Sequence, residues 1–259
     1  MNNHEPQLRD LRARFESEQG YWSDTWEQVL QAAPEFFAAY VELVGAPVRR
    51  EALEPRFREL VHLAVASAGT YLYEPGVRIH MRRALELGAT REEIIEVLQL
   101  TATLGIHACN VGTPLLIDAY REVGQQPAAL TGELTERQLQ LKAAFERERG
   151  YWNPFWDGLL RFDPDFFAAY TDFSSIAWRQ GPLAPKEKEM IYMAFDAAAT
   201  HMFLPGLRLH IDNAIGYGAS AEEMVEVFEI ASGLGMSTLA MAIPILNEEL
   251  DRAAAVSRP

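Results

Sequence analysis

Apolar residues recur along the chain at spacings of three and four, and no window shows sustained apolar and polar alternation between turns, so the pattern predicts helices and no sheet. Residues 9–19 read as a charged helix with Leu11 and Phe15 turned inward. Pro34 suits the first turn of a helix running to about Val44, with Phe36, Phe37 and Tyr40 on one flank. Phe57, Leu60, Val61, Ala64 and Val65 mark a helix over residues 55–67. After Pro75 a stripe of Val77, His80, Met81, Ala84 and Leu85 faces inward, while Arg78, Arg82, Arg83 and Glu86 lie off it. Gly88 follows the end of that helix, and Thr90 with Glu93 forms a capping box for the next. Ile94, Ile95, Val97, Leu98 and Leu104 continue an apolar helix that Gly105 breaks or bends, before a last helix over residues 114–120.

The whole pattern then repeats 130 positions later. Gly20-Tyr21-Trp22 returns as Gly150-Tyr151-Trp152, Trp26 as Trp156, and Phe36-Phe37-Ala38-Ala39-Tyr40 as Phe166-Phe167-Ala168-Ala169-Tyr170. Residues 71–105 and 201–235 share 13 of 35 positions without a gap, which a duplicated domain explains and chance does not. The fold class expected is therefore all-α, a tandem duplication with a first repeat over residues 1–125 and a second over 126–259. Gly124-Gln125-Gln126-Pro127 interrupts the apolar pattern at the boundary, and Thr135 with Gln138 opens a fresh helix after it.

Composition narrows the partners. Thirty-seven acidic against 23 basic residues give a formal charge of -14, which argues against nucleic acid and anionic membrane surfaces, both of which reward clustered positive charge. The polar N-terminus and the lack of a long wholly apolar run point to a soluble protein in the cytoplasm. The one cysteine, Cys109, excludes a two-cysteine redox centre within one chain.

The chemistry centres on His80 and its repeat His210, each on the inward stripe of its helix. An imidazole on an apolar face, beside a partly dry pocket, can pass a proton to or from a substrate; its plainer role is a core histidine bonded to a backbone carbonyl. The first repeat also holds His62, Tyr71, Tyr73, Glu74, His107 and Cys109 where the second has Tyr192, His201, Phe203, Leu204, Ser237 and Leu239, so the first is the richer site. His62, His80 and His107, with Glu74 or Cys109, could bind a divalent metal, although their spacings match no short ligand motif. The recurrent aromatics read as core, or as a wall over an apolar substrate. Arg78 and Arg208 could clamp a carboxylate but lie on outer faces.

A histidine followed by alanine four positions on, then Gly-Ala-Thr or Gly-Ala-Ser, Glu-Glu-Ile or Glu-Glu-Met and Glu-Val, resembles the carboxymuconolactone decarboxylase family, which includes the alkylhydroperoxidase-like proteins. The likeness covers residues 59–105 and 189–235. It implies an all-helical fold, subunits assembled as trimers or hexamers, and pockets where helices of neighbouring units meet. The peroxidase-like branch carries Cys-x-x-Cys before its histidine, where this chain has Tyr73 and Gly76, then Phe203 and Gly206, so dithiol chemistry is not expected. The function expected is a cofactor-free lyase or isomerase acting on a small oxo-acid or lactone. His80 and His210 would be general acid/base groups, and His62, Tyr71, Tyr73, Glu74, His107 and His201 substrate-binding groups. A homo-oligomer, a trimer first, is the partner expected, with no metal or cofactor. The alternatives are a non-catalytic ligand-binding or scaffold protein, and a metal-dependent enzyme built on the first repeat's histidines.

Overall fold

The computed structural model describes residues 5–256 and, among them, contains helices and turns but no strand. The first repeat supplies α1 (Glu5–Gln19), α2 (Asp24–Ala32), α3 (Pro34–Arg50), α4 (Pro55–Ser67), α5 (Glu74–Glu86), α6 (Arg91–Ala102) and α7 (His107–Glu122). The second supplies α8 (Glu136–Arg149), α9 (Trp156–Phe162), α10 (Pro164–Gln180), α11 (Pro185–Ala197), α12 (Leu204–Gly216), α13 (Ala221–Ser232) and α14 (Ser237–Val256). Short 3-10 turns at Thr103–Ile106 and Gly233–Met236 make the expected break at Gly105 and its counterpart.

Local signals act as the sequence predicts. Gly88 takes φ +90° and Gly218 φ +85°, a region open to glycine without strain. Thr90 Oγ1 accepts the Glu93 N–H at 3.1 Å while the Glu93 carboxylate accepts the Thr90 N–H at 2.7 Å, and Ser220 with Glu223 repeats the box.

Several boundaries differ from expectation. Trp26, Val29 and Leu30 are buried on α2, a helix whose short apolar signal the pattern reading passed over. Helix α3 runs beyond Val44 to Arg50 with Pro47 inside it, and α7 starts at His107 with Pro114 inside it. A proline removes one ladder bond, and tertiary packing holds the helix through it. Leu85, expected inside, is about half exposed, as is its counterpart Ile215, because each lies one residue and so about 100° round the helix from the buried Ala84 or Ala214.

The two repeats interlock. The central core draws Leu60, Val61, Ala64, Val97 and Leu100 from the first and Met190, Ile191, Ala194, Val227 and Ile230 from the second, with α4 packed on α11. Each repeat's third helix lies against the other's sixth, α3 on α13 and α10 on α6, and α14 lies on α2. The aromatic clusters are shared too: Phe15, Trp26 and Phe37 enclose Met236, and Phe145, Trp156 and Phe167 enclose Ile106.

Buried charge pairs bridge the two repeats. Glu226 accepts from Arg58 Nε at 2.6 Å and from the backbone N–H groups of Ala52 and Leu53. In the related position Glu96 meets Lys188 Nζ at 2.7 Å and accepts from the Leu183 N–H. Two helical stretches, Arg91–Glu122 and Ala221–Val256, are long and apolar enough to cross a membrane by length and composition, although neither is wholly apolar. Half of the first stretch's apolar window is buried in the protein. Each also passes through a 3-10 turn, with α6 and α13 facing the shared core and part of α7 and α14 exposed.

Candidate active site

His80 leaves α5 beside α4, the helix that carries Glu59 and His62. Its Nδ1 lies 2.8 Å from Glu59 Oε2, and its ring stacks on that of His62 with centroids 4.3 Å apart. The Tyr21 ring stands perpendicular to that of His80 with centroids 6.2 Å apart, and the Arg83 guanidinium stands 3.7 Å from the second oxygen of Glu59. Burial pushes the His80 imidazole down to about 3, with the Arg83 charge acting in the same direction. Burial, and then the charge of His80, lowers His62 to about 3. Burial raises the Glu59 carboxyl above its ordinary value. His80 is thus a neutral imidazole at neutral pH, held through Nδ1–H by Glu59, with Nε2 left to accept a proton.

The turn between α4 and α5 aims the tyrosines. Leu72 sits at φ 47°, in the left-handed region a branched side chain rarely occupies, and the Tyr73 N–H returns to the Ala66 carbonyl at 2.9 Å. Met202 repeats this at φ 51°, with the Phe203 N–H on the Asp196 carbonyl. The close packing of Tyr73 on α5 requires Gly76, since a Cβ there would come within 2.8 Å of the Tyr73 ring.

A cavity of about 90 Å³ opens against His80, lined by Tyr21, Trp26, Tyr40, His62, Tyr71 and Tyr73 of the first repeat and by Leu234, Met236 and Ser237 of the second. Tyr71 bridges the two repeats, donating to the Leu234 carbonyl at 3.0 Å and meeting Ser237 Oγ. Burial raises the phenols of Tyr21, Tyr40, Tyr71 and Tyr73, so all four remain protonated donors at neutral pH. An outer cavity of about 190 Å³ is lined by His80, His62, Glu59, Arg58 and Arg83.

The second repeat rebuilds the pair and fills the space. His210 Nδ1 lies 2.5 Å from the fully buried Glu189, and Tyr192 stacks on His210 at 4.4 Å, as His62 does on His80. Asn213 takes the place of Arg83 and donates to Glu189 at 3.2 Å. Gln19 is replaced by Arg149, whose guanidinium packs among Tyr151, Trp178 and Tyr192 at 5.0 to 5.8 Å from their ring centroids. Arg149 lines what remains there, a cavity of about 30 Å³ beside His210, His107, Asn110 and Trp156.

Of the residues singled out from sequence, His80, His62, Tyr71 and Tyr73 meet in the first cavity, and His210 lies in the second. Glu74 does not join them: it starts α5, is exposed, and pairs with Arg78 one turn on. Arg208 likewise pairs with Asp212 on an exposed face. His107 is carried by α7 to the second site, where its Nδ1 lies 2.6 Å from His201 Nε2. The trio of His62, His80 and His107 imagined as a metal centre is therefore not assembled, and Cys109 packs with the aromatic cluster around Phe145. The sequence reading missed Glu59 and Glu189. Their signal was available, since each precedes its histidine by 21 positions in both repeats. Of the recurrent aromatics, Phe37 is core and Tyr21, Trp26 and Tyr40 wall the cavity, whereas Phe36, expected on the same flank of α3, is exposed, as is its repeat Phe166.

Residues 34–122 and 164–246 match the model of the Carboxymuconolactone decarboxylase family. Among solved structures the chain is similar to one from Burkholderia xenovorans LB400 described as a "putative gamma-carboxymuconolactone decarboxylase subunit". The two are 46% identical with a TM-score of 0.91, over 95% of this chain and 98% of that one. No curated protein matches the sequence.

Proposed function

This chain belongs to the carboxymuconolactone decarboxylase family, and from that premise we propose that its first cavity is the site of a lyase or isomerase that moves protons on a small oxo-acid or lactone, with His80 as the general acid/base. The observation that carries the proposal is the 2.8 Å contact between His80 and Glu59 beside a cavity walled by protonated phenols.

In this reading His80 Nε2 takes a proton from a carbon next to a carbonyl. The Glu59 carboxylate, a positioning group, balances the imidazolium that forms. Charge developing on the substrate oxygen is met by phenol donors, with Tyr21 packed against His80 and Tyr73 lining the same cavity. Return of the proton to another carbon completes an isomerisation. Where a carboxylate leaves as carbon dioxide, the electron pair it leaves on carbon takes a proton from His80 as an imidazolium charged from solvent, one proton being consumed per turnover. Arg58 and Arg83 in the outer cavity suit the carboxylate of such a substrate. No dithiol step enters, because the chain has a single cysteine and it lies away from His80.

The second site would contribute little turnover, since Arg149 occupies the room a substrate needs. Assembly into a homo-oligomer, a trimer first, is supported by the exposed apolar residues Val111, Leu115 and Leu116 on α7 and Met241, Ile245, Leu246 and Leu250 on α14. The deciding experiment is turnover of oxo-acids and lactones by the wild-type protein and by His80→Gln, with helicity followed in parallel.

A further inference from the structure

Three ligand-type side chains converge at the seam of the two repeats, outside the first cavity. His107 opens α7 of the first repeat, Asp196 lies near the end of α11, and His201 follows in the turn before α12. His107 Nδ1 and His201 Nε2 are 2.6 Å apart, and Asp196 Oδ1 lies 3.7 Å from the first and 3.8 Å from the second. From these separations we infer that His107, Asp196 and His201 form a binding site for a divalent first-row metal ion, zinc first by its donor set, held between the two repeats.

The geometry supplies the first argument. A point in the plane of the three atoms lies about 2.0 Å from each, the length of zinc bonds to imidazole and carboxylate, and a metal would replace the hydrogen bond between the two imidazoles and part them by about 0.7 Å to open the tetrahedral angle. Two imidazoles and one carboxylate are borderline donors that favour zinc and its neighbours over calcium or magnesium.

Asp196 supplies the second. It is fully buried, and neither of its carboxylate oxygens has a hydrogen-bond partner. Burying a carboxylate without a partner is costly, and a cation removes the cost. The site is also tightly framed. A Cβ at Gly206 would come within 2.4 Å of Asp196 Oδ2, and the His107 ring stacks on Phe203 at 3.8 Å, which fixes its plane.

Comparison of the repeats supplies the third. The first repeat has Ala66, Tyr71 and Ser237 at the matching positions, and there Tyr71 simply meets Ser237. All three positions hold potential ligands at one seam and none at the other. His107 also lines the cavity of about 30 Å³ beside His210, which has room for a water in an open fourth position. That cavity is further lined by Asn110 and Trp156, whose buried Oδ1 and Nε1 have no protein partner.

The test uses the full-length, tag-free protein, stripped by chelator dialysis and re-equilibrated with zinc or cobalt(II). The expected result is about one metal per chain, a cobalt visible spectrum displaced by zinc, and a Tm raised by about 5 °C at a hundredfold excess over Kd. Giving the seam the first repeat's residues, with Asp196→Ala, His201→Tyr and His107→Ser, should abolish all three signals. His201→Gln alone gives a milder second variant. Uptake below about 0.2 metal per chain by the wild-type protein, or undiminished uptake by a folded triple variant, would overturn the site. Should no variant fold, the wild-type stoichiometry and cobalt spectrum decide the matter alone. Loss of turnover in His80→Gln bears on the first cavity only and leaves this result untouched.

Discussion

His80 and Glu59 meet at 2.8 Å in the first repeat, and 130 positions on His210 and Glu189 meet at 2.5 Å, yet only the first pair faces a cavity with space for a molecule larger than water. The same dyad thus stands once in an open site and once in a filled one. That contrast sets most of what should be measured.

Replacing His80 by Gln should lower kcat by about 10²–10⁴-fold, the usual contribution of a positioned acid/base, with the helical circular dichroism unchanged. Glu59→Gln should lower it less and shift the acid limb of the pH profile, because it removes the charge that balances the imidazolium. His210→Gln should leave turnover nearly intact. Equal losses at His80 and His210 would refute the assignment of chemistry to the first repeat.

Filling the first cavity tests the role of Arg149 from the other side. Gln19→Arg should place a guanidinium near His80 as Arg149 lies near His210, and should cut turnover at least about tenfold by occupying the substrate's space. A folded Gln19→Arg protein with full activity would mean that the cavity is not where substrate binds.

Acid stability follows from the buried imidazoles. His62 and His80 titrate near 3 when folded and near 6.5 when unfolded. Above pH 6.5 neither state holds the proton and the native state keeps its full stability. Between pH 6.5 and 3 the unfolded chain binds protons the native state refuses, so stability should fall as pH falls, by at most about 1.4 kcal/mol per pH unit for each histidine. The raised Glu59 carboxyl works in the opposite direction as it protonates. Tm recorded from pH 7 to pH 4 should show a shallower decline in His62→Gln than in the wild-type protein, and parallel curves would contradict the prediction.

Buried charge pairs should hold the register between repeats. Glu226→Ala would leave the Arg58 charge without its carboxylate, with only the Leu53 carbonyl as partner, and would strand two backbone N–H groups, at a cost of about 3–5 kcal/mol in denaturant unfolding. Because Arg58 also lines the first cavity, activity should fall with stability. Glu96→Ala tests the matching pair with Lys188. A change below about 1 kcal/mol in both would show that the pairs do not hold the seam.

Much of this molecule was legible in the chain because its signals are local. Apolar spacing, Gly88 with its positive φ, and the Thr90 and Ser220 capping boxes act within one or two turns, and the 130-residue period exposed the duplication. His80 could be found because it recurs on an inward stripe. Other features depend on separations of many residues. Glu74, close to His80 in sequence, turns away to Arg78, whereas Glu59 reaches His80 because α4 and α5 pack side by side. Tyr71 meets Ser237, and His107 meets His201, only because each repeat's last helix crosses to the other repeat. The sequence by itself determined the helices, their ends and the two-fold repetition, since short-range sterics and hydrogen bonding decide these. Tertiary structure alone decided which site stays open, because that depends on whether Gln19 or Arg149 reaches the cavity across a packed interface.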